Sequence, residues 1–102
     1  FSIGSYAFDA EKRLLRLGEQ TQKLSPKEAE LLRLLCEKQG EVLTHEEALL
    51  KIWKNDDYFT KQSMNVFITK LRKSLSQDSA YDIAIENLHS KGFVLRWQAK
   101  AV

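Results

Sequence analysis

Cysteine, proline and glycine are scarce in this chain: one, one and four residues out of 102. A lone Cys36 excludes an internal disulfide and agrees with a reducing compartment. So little proline and glycine beside a 43% apolar fraction excludes a linker or a disordered segment. No apolar run approaches the ~18 residues of a spanning helix. The opening residues, Phe1 to Tyr6, lack the charged start and apolar stretch of a signal peptide. The expected location is therefore the cytoplasm. The chain has no Gly-rich phosphate loop. It also has no spaced set of Cys, His and carboxylates for a metal, since His45 stands beside Glu46 and Glu47 at a helix start and His89 at a hairpin tip. Cys36 falls on an apolar helix face, where a thiol is a small buried hydrophobe. No catalytic activity, metal or cofactor is expected.

The length suits one domain over residues 1–102, enough to bury a single core. The chain opens on Phe1 and its first strand is expected to start at once, which reads as a domain taken from a longer protein.

Residues 1–24 read as a small antiparallel meander of three strands. Ile3, Tyr6 and Phe8 flank an irregularity at Gly4-Ser5, a turn lies over residues 9–12, a second run spans 13–17, and Gly18-Glu19 turns into a third strand ending near Leu24. Ser25-Pro26-Lys27-Glu28 supplies an N-cap, a first-turn proline and a capping-box glutamate, so a helix starts here and stops at Gly40. Val42-Leu43 reads as a short strand. Thr44 to Glu47 repeats the capping pattern ahead of a second helix buried through Leu49, Ile52 and Trp53. Residues 54–60 are polar, with Asp56 and Asp57 central and Tyr58 and Phe59 at the end, and read as a loop. After residue 82, Ile83, Ile85 and Leu88 start a strand. His89 to Gly92 forms a tip, and Phe93, Leu95 and Trp97 alternate along the return strand of a hairpin.

The stretch from 61 to 75 carries four basic side chains and no acidic one in a chain of net charge +2, which leaves −2 for the remainder. On a helix, Met64, Ile68, Leu71 and Leu75 share one face with Phe67 at its edge. The other side presents Gln62, Ser63, Asn65, Val66, Thr69, Lys70, Arg72 and Lys73. An ordinary solvated helix mixes signs for i,i+4 pairing, and this one does not. Amide, hydroxyl and cationic groups are those that meet phosphates and major-groove base edges, and Val66 is suited to a thymine methyl. Taken alone, the stretch also reads as a basic surface helix without a partner.

Three helices with the third basic, followed by a hairpin with Gly-aromatic on its far side, make an α+β winged helix-turn-helix. Together with the N-terminal meander, the chain resembles the DNA-binding effector domain of OmpR/PhoB-type response regulators of bacterial two-component systems. The resemblance rests on Gly4-x-Tyr6-x-Phe8-Asp9 and on Leu24-Ser25-x-Lys27-Glu28-x-x-Leu31-Leu32. It continues through Gly40-x-Val42-Leu43-Thr44, Trp53, the run from Ser63 to Leu75, and Ile85 to Phe93. It implies a transcription factor whose third helix lies in the major groove and whose wing, residues 87–92, reaches the minor groove. The family's DNA contacts then fall on Gln62, Asn65, Val66, Thr69, Lys70 and Arg72, and in the wing on Asn87, His89 and Lys91; side-chain type adds Lys73 as a phosphate contact. Loop 54–60, with Asn55, Asp56, Asp57 and Tyr58, corresponds to the segment that touches RNA polymerase. The resemblance also implies head-to-tail pairs of copies on direct repeats, and an N-terminal receiver domain served by a histidine kinase. Gln62, Asn65, Phe67, His89 and Ser90 depart from the family's common Arg, Asp, His, Arg and Gly, which lowers the positive charge. The rival reading is a winged helix that binds protein without base readout.

Overall fold

The computed structural model describes residues 1–53 and 58–101, with the backbone alone at 53 and 58–61. Four short antiparallel strands come first: β1 (Ser2–Ile3), β2 (Tyr6–Asp9), β3 (Leu14–Leu17) and β4 (Gln20–Lys23), in that spatial order. Gly4-Ser5 is thus a reversal between two strands and not an irregularity within one. Gly4 has φ +57°, and Ile3 pairs with Tyr6 across the turn. Alternation follows the two-residue period, so Ile3, Tyr6, Phe8 and Leu15 face the core.

Helix α1 (Pro26–Glu37) begins as its sequence requires. The Ser25 hydroxyl accepts from the Glu28 amide at 3.3 Å, and the Glu28 carboxylate accepts from the Ser25 amide at 3.4 Å. Its buried side is Ala29, Leu31, Leu32, Leu34, Leu35 and Cys36. The short strand β5 (Leu43–Thr44) lies one residue later than its predicted place.

Thr44 caps α2 (His45–Ala48) by accepting from the Glu47 amide at 3.1 Å. The Glu47 carboxylate accepts from the Thr44 hydroxyl at 3.3 Å and pairs with Lys38 at 2.9 Å, tying α2 to the end of α1. The second helix then continues as a π-helical turn over Leu49–Trp53, with Leu49 buried and Leu50 60% exposed.

Helix α3 (Tyr58–Ser74) starts three residues before the predicted 61, so Tyr58, Phe59 and Thr60 belong to its first turn and not to the loop. Leu75–Gln77 tightens into a 3₁₀ turn. Strand β6 (Tyr81–Leu88) starts two residues before Ile83, and β7 (Gly92–Ala99) returns antiparallel to it with Leu88 opposite Gly92. β5 adds to the far side of β7, giving the order β5-β7-β6. Met64, Ile68, Leu71 and Leu75 are all buried, as the helical period requires, and meet Leu31, Leu35, Leu43, Phe93 and Leu95 in one core.

Asp78, 4% exposed, is the buried acid of the described residues. Its carboxylate accepts from the Ser5 amide (2.7 Å), the Ser5 hydroxyl (3.0 Å), the Ala80 amide (2.8 Å) and the Tyr81 amide (3.2 Å). The first turn of the chain is thereby pinned to the end of α3 and the start of β6. Gly4 is required here, since a Cβ would sit 2.7 Å from Asp78 Oδ2 and 3.0 Å from the Tyr81 Cβ, at a φ that side chains rarely adopt.

Candidate nucleic-acid interface

The outer side of α3 is built as the sequence predicts. Gln62, Asn65, Val66, Thr69, Lys70, Arg72 and Lys73 are exposed, Val66 to 53%, while Ser63 and Phe67 are half-buried at the margins. No acidic residue falls between 58 and 77. The side chains of Gln62, Asn65 and Lys73 make no hydrogen bond to another described residue. The Thr69 hydroxyl donates to the Asn65 carbonyl at 3.0 Å, which fixes its rotamer and leaves oxygen lone pairs facing out. Lys70 holds its ammonium 5.4 Å from the centroid of the Phe67 ring, a cation–π contact that directs the charge along the helix surface.

Arg72 is placed differently from its neighbours. Nε donates to the Ile85 carbonyl at 3.1 Å and Nη2 to the same oxygen at 2.7 Å, so the guanidinium is engaged with strand β6.

In the wing, Asn87 is exposed near the end of β6, and His89 and Lys91 are exposed in the tip. The tip closes through a hydrogen bond from the Lys91 amide to the Leu88 carbonyl (2.8 Å), with Ser90 at φ +50°. Its base is held by β5. The His45 amide donates to the Lys91 carbonyl (3.2 Å), and the His45 ring meets Phe93 edge-on at 5.2 Å. Gly92 lies where β5 and β7 approach most closely, and a Cβ there would collide with the Leu43 carbonyl. Across the hairpin Arg96 is paired with Glu86 at 3.1 Å. Among the described residues of the tip, the exposed cation is therefore Lys91.

Two supports of this surface come from far away in sequence. The Tyr6 hydroxyl donates to the Ser74 carbonyl (2.9 Å) and accepts from the Gln77 amide (3.0 Å), closing the last turn of α3 from the N-terminal sheet. Burial raises the Tyr6 pKa and keeps the phenol protonated for that donation. Gln22 donates to the Ser74 hydroxyl at 2.9 Å, and with Lys70 and Lys73 it lines a shallow cleft of about 450 Å³ beside the helix. Neither residue was legible as part of the site. Strand β4 is polar and exposed at every position, so nothing in its pattern singles out Gln22. Asn55, Asp56 and Asp57, and the side chain of Tyr58, lie outside the described residues. Among the described residues no group of three His, Cys, Asp or Glu side chains could hold a metal ion, and no helix is long and apolar enough to cross a membrane.

The arrangement can be set against known proteins. The chain is 45% identical over 95 residues to the transcriptional regulatory protein RprY of Bacteroides fragilis, covering 93% of this chain and 39% of that protein. It is 34% identical over 89 residues to YxdJ of Bacillus subtilis, also a transcriptional regulatory protein, covering 87% and 38%. The chain thus spans about two fifths of the length of these curated relatives. Among solved structures, the DNA-binding domain of Escherichia coli CpxR superposes with a TM-score of 0.82 at 18% identity, covering 93% of each chain. The DNA-binding domain of Klebsiella pneumoniae RstA, solved in complex with RstA box, gives 0.76 at 24%, covering 93% of this chain and 94% of that one. At these identities the two likenesses speak for the fold, a winged helix. The family described as "Transcriptional regulatory protein, C terminal" matches over residues 19–95, which takes in α1 to α3 and the wing, and the chain belongs to that family, the DNA-binding effector domains of OmpR/PhoB-type response regulators.

Proposed function

We propose that this domain reads double-stranded DNA for transcription regulation by laying α3 in the major groove and the wing tip, residues 87–92, in the adjacent minor groove. One observation carries the reading: the exposed side of α3 is free of acid and offers amide, hydroxyl, ammonium and one apolar group, next to a hairpin whose tip exposes His89 and Lys91. Gln62, Asn65 and Thr69 are suited to base edges, Val66 to a thymine methyl, Lys70 to guanine acceptors or phosphate, and Lys73 and Lys91 to phosphates. Arg72 is exposed on the same surface.

With about five phosphate contacts, log affinity falls against log salt with a slope near −4 to −5 for one domain. A domain of net charge +2 binds modestly alone. Two copies head-to-tail on direct repeats supply the affinity that one lacks. In the full-length protein we place a receiver domain N-terminal to this one, a cognate histidine kinase acting on it, RNA polymerase at residues 54–60, and the whole in the bacterial cytoplasm.

The test is selection from a random duplex pool followed by fluorescence anisotropy at two salt concentrations, with a Lys70→Ala, Lys73→Ala double variant alongside. Enrichment of a recurring half-site, and a slope shallower by about 1 to 2 in the variant, is the expected result. If no sequence is enriched and the variant matches wild type, α3 is not the reader and the protein-binding alternative takes its place.

A further inference from the structure

We infer that Arg72 is a positioning residue that sets the angle between the recognition helix and the wing, and is not itself one of the readers of DNA. The inference rests on the DNA-binding reading above and deepens it.

Strand pairing decides which way the Ile85 carbonyl points. In an antiparallel ladder, opposed residues alternate between pairs whose N–H and C=O groups point at each other and pairs whose groups point away. Ile85 stands opposite Leu95. The Leu95 carbonyl accepts from the Gly40 amide (3.2 Å) and the Lys91 carbonyl from the His45 amide, so the odd-numbered residues of β7 direct their backbone groups to the β5 side. Ile85 and Leu95 are therefore an outward-pointing pair. The Ile85 carbonyl lies on the outer edge of β6, the edge strand of the sheet, where no strand among the described residues pairs with it.

Arg72 fills that gap. Its Nε and Nη2 converge on the one oxygen at 3.1 and 2.7 Å. Two donors on a rigid planar fork fix the guanidinium, and with it the strand, far more narrowly than a single ammonium does. The position matters as much as the bond. Ile85 lies at the root of the wing, two residues before Asn87 and four before His89, whereas β5 holds the other strand, β7. With β7 held by β5 and β6 held by α3, the hairpin is supported on both sides. Released from α3, β6 would pivot about β7 and carry the tip away from the groove beside the one α3 occupies.

Lysine keeps the charge of Arg72 and with it the electrostatic share of any phosphate contact, but a single ammonium cannot reproduce a planar fork onto one carbonyl. Arg72→Lys is therefore the decisive variant, made in the whole 102-residue chain with its thermal unfolding recorded. In the free protein, amide hydrogen exchange of residues 87–92 is expected to quicken about tenfold in Arg72→Lys, while Leu31, Leu35 and Leu71 exchange as in wild type. On the selected duplex, Arg72→Lys and Lys91→Ala are each expected to weaken binding about tenfold, and the double variant about as much as either alone. Unchanged exchange at the wing in Arg72→Lys overturns the inference, and so do losses from Arg72→Lys and Lys91→Ala that multiply. Failure of wild type to enrich any sequence would instead be a failure of the DNA-binding reading, and the exchange measurement would still decide the role of Arg72.

Discussion

At the scale of single residues, the described groups divide into those turned to solvent and those consumed by the protein itself. Cys36 is consumed: burial pushes its thiol up to about 12, so almost no thiolate exists at neutral pH. A disulfide reagent at pH 8 is expected to leave the native protein unlabelled and to react within seconds once denaturant is added. Labelling of the native state at the rate of a free thiol would show that Cys36 is not where the core places it. Asp78 is the opposite case. Burial pushes its carboxyl up, but the hydrogen bonds from Ser5, Ala80 and Tyr81 outweigh burial and hold it below the ordinary range. Because the folded-state pKa is depressed, the stabilisation is present in full above the unfolded value of about 3.9 and is lost as pH falls through the folded value. Asp78→Ala is expected to cost about 1–3 kcal/mol at pH 7, since three amides lose their acceptor. In urea titrations the gap between variant and wild type should narrow as pH falls through the folded value, and a gap that does not change with pH would rule the ionised carboxylate out as its source.

Elements add what no residue decides alone. The capping box at Ser25 is local, and Ser25→Ala is expected to lower stability by about 1 kcal/mol, a loss of some 4–8 °C in melting temperature. It should leave DNA affinity measured at 10 °C unchanged, because α1 bears no reader. The wing depends instead on a close approach between β5 and β7. Gly92→Ala is expected to cost about 1–3 kcal/mol by overpacking against the Leu43 carbonyl. It should also weaken DNA binding beyond what the lost stability explains, and equal affinities for variant and wild type under fully folding conditions would refute that placement of the wing. Self-contained elements are legible from spacing: the α1 cap, the apolar face of α3 and the two arms of the hairpin. Ends that depend on partners are not. The two-residue strand β1 is too short to show a period, so Gly4-Ser5 reads as an irregularity and not as the reversal it is. Tyr81 and Asp82 carry no apolar alternation, so spacing starts β6 two residues late.

At the scale of the molecule, distant hydrogen bonds gather at the C-terminal end of α3. Tyr6 and Gln22 reach Ser74, Asp78 reaches Ser5, and Arg72 reaches Ile85, so the N-terminal sheet and the wing are both fastened to the helix that carries the site. A duplex holding two direct half-sites should bind two copies more tightly than either half-site alone binds one, as a titration by analytical ultracentrifugation would show; independent, equal binding would mean that copies do not assist each other. The sequence by itself determined the winged-helix order, the face of α3 turned inward, and the chemical types turned outward, because periodicity and side-chain chemistry are local properties. Only the tertiary structure decided that Arg72 is spent on β6, that Asp78 is a buried clip and that Tyr6 closes the recognition helix. Each of these joins groups from different elements, and which donors meet which carbonyls follows from how the elements pack, which spacing along the chain does not encode.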